Sequence, residues 1–158
     1  MAQAASLVVP GTLMQKPIPP RLVEPYLTGR RAVISGFVYR ATETSFTDPA
    51  DFYSALDLGY EGSEFRRDMT ELFLIRWMAS TLESYLVPYS HERGGDWSAK
   101  PPFPGTGYTS WPSRPIHEFF VDLMPIPVGA EIHRIAQGHA DFIARYDGQV
   151  WLRPAEGG

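Results

Sequence analysis

The sequence predicts an α+β fold: a bent, mostly antiparallel sheet, single or split into two facing sheets, with one to three helices. Three observations predict it. From about Thr106 onward the chain is a series of short β-rich runs punctuated by Gly and Pro. One segment near Asp48 carries a helix-start signature. Of the 158 residues, 44% are hydrophobic and 13% aromatic, enough to build a core with no disulfide or metal staple.

Residues 1–20 hold Pro10, Pro17, Pro19 and Pro20. Proline lacks an amide donor and restricts its predecessor to extended geometry. The stretch reads as an extended Pro-rich arm lying on the domain, with Leu7–Val9 as a short edge strand. Residues 21–158 read as one globular α+β domain. Pro20 to Leu27 reads as one or two helical turns ending near Gly29. Ala32–Ala41 (AVISGFVYRA) is rich in β-branched and aromatic residues and predicts a strand, with a bulge or close approach at Gly36. Thr47-Asp48-Pro49 predicts a helix running to about Leu58, with Phe52, Ala55 and Leu56 on one face.

Glu71–Ala79 (ELFLIRWMA) is almost continuously apolar. A buried strand is the favoured reading, and a helix over Asp68–Tyr85 is the alternative. Ser90–Gly107, rich in Pro and Gly, reads as a long loop of the kind that often carries binding residues. Strands are then expected at Tyr108–Trp111, Ile116–Leu123 and Ala130–Ala136. A hairpin with a two-residue Asp147-Gly148 turn is expected to join Phe142–Tyr146 to Gln149–Leu152.

The chain has no cysteine, which excludes disulfides, thiolate catalysis and Cys-ligated zinc. Its formal charge of −4, with scattered basic residues, argues against duplex DNA as a partner. No apolar run is long enough to span a membrane. Met1–Thr12 has no basic n-region. The expected location is the cytoplasm, or outside the cell by a route independent of a signal peptide. His91, His117, His133 and His139 show no metal-ligand spacing, so no metal is predicted. Nucleophile-elbow and phosphate-loop patterns are also missing.

The remaining chemical constellation has three parts. Arg40 ends the first long strand. Tyr108, Thr109 and Ser110 follow the glycine turn at Gly105–Gly107. Glu118 lies on the Ile116–Leu123 strand. This order of Arg, Ser/Thr strand and Glu resembles the pattern of ADP-ribosyltransferases and related NAD-processing toxin domains. The resemblance covers three short patches, and the Ser110-to-Glu118 separation is shorter than that family's. It implies NAD as co-substrate, held by Arg40 at its phosphates and by Tyr108, Thr109 and Ser110 around nicotinamide. It implies that Glu118 is catalytic, stabilising the oxocarbenium-like ribose as the nicotinamide–ribose bond breaks. ADP-ribose would pass to a protein target or to water.

Each of these residues also has an ordinary structural role open to it. Arg40 suits a strand-end ion pair, and Glu118 suits a cross-strand pair with a base. The second functional expectation is therefore a non-catalytic binding protein, an accessory, immunity or assembly factor. Its protein partner would meet the Pro/Gly/aromatic loop.

Overall fold

The computed structural model describes residues 8–60, 62–86 and 116–154. Its strands are β1 (Leu13–Ile18), β2 (Val33–Arg40), β3 (Leu72–Met78), β4 (Phe119–Pro125), β5 (Glu131–Ala136), β6 (His139–Tyr146) and β7 (Trp151–Leu152). They form one seven-stranded sheet in the order β4-β2-β1-β3-β5-β6-β7, every neighbouring pair antiparallel. Two short helices, α1 (Val23–Leu27) and α2 (Pro49–Ala55), accompany it, with single 3-10 turns at Pro20–Leu22 and Ala41–Glu43. The fold is α+β, and the described strands build a single sheet. Among the described residues no helix is long and apolar enough to cross a membrane.

Apolar side chains cover both faces. On one face Met14, Val38, Ile75, Trp77 and Ile132 pack with Tyr26 of α1. On the other, Tyr39, Leu72, Leu74 and Ile135 pack with Phe52, Ala55 and Leu56 around α2. β3 contributes to both, Leu72 and Leu74 to one and Ile75 and Trp77 to the other. A strand buried on both sides needs no alternation, which is why its apolar run is nearly continuous.

α2 starts as its sequence dictates. Asp48 caps it by accepting from the Ala50 amide at 3.1 Å, and Pro49 takes the first helical position, where no amide is needed. It ends at Ala55, three residues before the expected Leu58, and Asp57 turns the chain with φ 51°. Gly36 has φ 108° and sits at a register shift between Ile34 and Gly36, so the bulge expected there is present.

Three features differ from expectation. The N-terminal stretch does not lie on the domain as an arm: Leu13–Ile18 is β1, inside the sheet between β2 and β3. Val8 and Val9 are not in a strand, and Leu7 lies outside the described residues. The β6–β7 connection is longer than two residues, because Tyr146 pairs with Trp151. Asp147 explains the extra length: its carboxylate accepts from the Gln149 and Val150 amides, both at 2.8 Å, and closes a wider turn. The expected Ser90–Gly107 loop and Tyr108–Trp111 strand lie outside the described residues.

Candidate functional site

β1 runs beside β3 along its whole length, Leu13 opposite Met78 through Ile18 opposite Phe73. Against β2 it pairs only at Met14–Arg40 and Gln15–Tyr39. The cause is Pro17. The Ala79 amide donates to the Thr12 carbonyl at 2.8 Å, which turns the amides of even-numbered residues of β1 toward β3. Odd-numbered amides then face β2. The next bonded pair after Gln15–Tyr39 would be Pro17 with Phe37, and proline has no N–H to give. The ladder stops there and the two strands part.

Lys16 fills the gap. Its Nζ donates to the Phe37 carbonyl at 3.1 Å. Gly36 accommodates this approach, since a Cβ there would lie 3.1 Å from Nζ. Lys16 is partly buried. Burial, with the nearby Arg31 charge adding to it, lowers its pKa from 10.5 to about 8.

The fork opens into a cavity of about 390 Å³ whose wall includes Lys16, Arg31, Tyr26, Ser35, Tyr60 and Phe65. That volume falls in the range of small-molecule sites, roughly 300–1,000 Å³. Arg31 is held in place from behind. Its Nε donates to Tyr26 Oη at 3.0 Å, and Tyr26 Oη donates to the Val33 carbonyl at 3.0 Å. Among the described residues neither Lys16 nor Arg31 belongs to an ion pair. The carboxylate on the same wall, Glu64, is paired with Arg21. A smaller pocket of about 40 Å³ shares Lys16 and Tyr60 with the fork and reaches Phe37 and Tyr39. Tyr60 also borders a third cavity of about 390 Å³, beside Tyr53, Asp57 and Arg67.

Behind Tyr39 lies Glu118, 3% exposed. Burial, reinforced by the Asp57 charge, raises its pKa to about 8. Tyr39 is held protonated well above the ordinary phenol value, first by burial and then by Glu118, Tyr60 and Asp57. At neutral pH Glu118 is therefore mostly a neutral acid. None of the three cavities has Glu118 in its wall.

Arg40 and Glu118 do not come together. Arg40 Nη1 donates to Glu43 Oε2 at 3.1 Å, and its guanidinium lies over the Phe119 ring, 5.0 Å from the centroid. Glu43 also accepts from the His117 amide at 3.0 Å and meets His117 Nδ1 at 3.0 Å. The His117 ring stacks with that of Phe119 on this same face. Glu118, between His117 and Phe119, points the other way, toward Tyr39 and Asp57. Tyr108, Thr109 and Ser110 lie outside the described residues.

The residues that sequence reasoning missed are Lys16, Arg31 and Asp57. One signal was available for the first: a lysine directly before proline inside an apolar strand has no continuous ladder to solvate it. Among the described residues no three His, Asp or Glu side chains gather to hold a metal ion. No family model, curated protein or solved structure compared with this chain matches it.

Proposed function

We propose that this is a binding protein whose fork between β1 and β2 receives a small anionic ligand. One observation carries the reading: two cations, Lys16 and Arg31, share the wall of a ligand-sized cavity, and the described ion pairs include neither. Such a pair attracts an anion into a chain whose net charge is −4. The tyrosines and Phe65 supply an apolar surface for the rest of the ligand. Calorimetric titration with inorganic phosphate and with NAD tests it. Saturable binding that weakens about tenfold or more in Lys16→Met and in Arg31→Gln is expected, each variant losing one charge-assisted contact. No binding of either anion, or wild-type affinity in both variants, overturns it.

The NAD-cleaving activity implied by the resemblance is a second reading, favoured by the burial of Glu118 behind a tyrosine-lined pocket. It requires an ionised Glu118, because only a carboxylate stabilises an oxocarbenium-like ribose. Nicotinamide release should then rise as pH passes about 8 and vanish in Glu118→Gln. Absence of release across that range ends this reading and leaves the binding one intact.

A further inference from the structure

We infer that Lys16 forms an imine with a small 2-oxo acid, whose carboxylate rests on Arg31 in the fork. The inference builds on the anion-binding reading and names the ligand class. The two cations differ in chemistry. Arg31 is a fixed guanidinium, oriented by Tyr26 Oη, and offers a fork suited to a carboxylate. Among the described residues Lys16 carries the only primary amine on the cavity wall, and the amine is a nucleophile when neutral. Its Nζ is held in the fork by a hydrogen bond to the Phe37 carbonyl. Pro17, Leu22 and Phe65 line the same space.

A 2-oxo acid offers each cation a partner, its carboxylate to Arg31 and its electrophilic carbonyl to Lys16, within the one cavity they share. With a pKa of about 8, about a tenth of Lys16 is neutral at pH 7, far more than for an ordinary lysine. The step balances without an oxidant or reductant. The amine lone pair attacks the carbonyl carbon, a C–N bond forms, and the carbonyl electron pair moves to oxygen. That oxygen takes up the proton lost by nitrogen. The carbinolamine then expels water, the second N–H proton leaving with it, and C=N remains.

Reductive trapping tests this directly. The full chain has two lysines, Lys16 and Lys100, so Lys100 is an internal control. The protein is incubated with glyoxylate and cyanoborohydride at neutral pH, then digested and mapped by mass spectrometry. A carboxymethyl group is expected on Lys16 at least tenfold faster than on Lys100. Arg31→Gln should erase most of that preference, and Lys16→Arg, which keeps the charge, should abolish the Lys16 adduct. Equal labelling of Lys16 and Lys100, or an unchanged preference in Arg31→Gln, overturns the inference. If glyoxylate or phosphate still binds by calorimetry in that case, the anion-binding reading survives. If neither binds, both fall.

Discussion

Lys16 Nζ donates to the Phe37 carbonyl across the gap where Pro17 has no amide to offer. One missing N–H thus does two things. It ends the β1–β2 ladder, and it draws a lysine ammonium into the opening. The parting of the strands and the place Lys16 takes between them share that cause.

Pro17→Ala returns the missing donor. The restored ladder bond adds about 0.5–1.5 kcal/mol, and the freer unfolded chain removes about 0.4–1 kcal/mol. Urea unfolding should therefore show stability within about 1 kcal/mol of wild type. Phosphate binding should weaken as the strands zip and Lys16 is displaced. A variant that binds as well as wild type would mean that Pro17 does not hold the fork open.

Two ionisable groups with shifted pKa values, Glu118 and Lys16, act on stability in opposite directions. Glu118 titrates at about 8 when folded, against an ordinary 4.5. Between those values the native state holds the extra proton, so stability falls as pH rises through the window. Lys16 titrates at about 8 when folded, against an ordinary 10.5. Between those values the unfolded state holds the extra proton, so stability rises with pH. Their joint contribution has its minimum near pH 8. Thermal unfolding scans should show Tm falling toward that pH. Glu118→Gln should flatten the acid side, and Lys16→Met the alkaline side. A wild-type profile that both variants reproduce would refute the assignment.

Gln15 is 1% exposed and makes three hydrogen bonds. Its Nε2 donates to the Thr44 carbonyl at 2.8 Å and to Thr44 Oγ1 at 2.7 Å. Its Oε1 accepts from Arg76 Nε at 2.8 Å. This amide joins β1, β3 and the turn after β2. Gln15→Leu keeps the volume but strands those partners, at a cost of about 2 kcal/mol. A lower urea midpoint with unchanged m-value is the expected result, and an unshifted midpoint would exclude the bridge as a stabilising element.

Gly59 faces Tyr53 so closely that a Cβ would lie 2.2 Å from Tyr53 Oη and 2.8 Å from its Cζ. Gly59→Ala must displace the tyrosine, which lines one cavity with Asp57 and Tyr60. A loss of about 1–2 kcal/mol is expected from this crowding. In a double-mutant cycle with Tyr53→Ala the loss should largely disappear. An undiminished loss there would show that crowding against Tyr53 is not its source.

Where local chemistry decides, the sequence was legible. Asp48-Pro49 set the start of α2 because cap and first turn need only neighbouring residues. β3 could be favoured as a strand, though its two-sided burial left no periodicity to separate it from a helix. The Asp147 turn was placed but shortened, since the reach of its carboxylate is invisible in a dipeptide pattern. The site was less legible. Glu118 and Arg40 stand out as residue types, yet the face each one takes depends on strand register. Arg40 turns back to Glu43 across the 3-10 turn that follows β2, and Glu118 turns toward Asp57.

By itself the sequence determined an α+β domain rich in short strands, cysteine-free, with a capped helix and a glycine bulge. These follow from propensity, backbone restriction and composition, which act over a few residues. Only the tertiary structure decided that Leu13–Ile18 is an interior strand, that Lys16 and Arg31 share a cavity, and that Asp57 lies near Glu118. Those outcomes depend on which distant segments pair and on which amides are present to pair them. Burial and neighbouring charge, the two causes of the shifted pKa values, exist only once that pairing is complete.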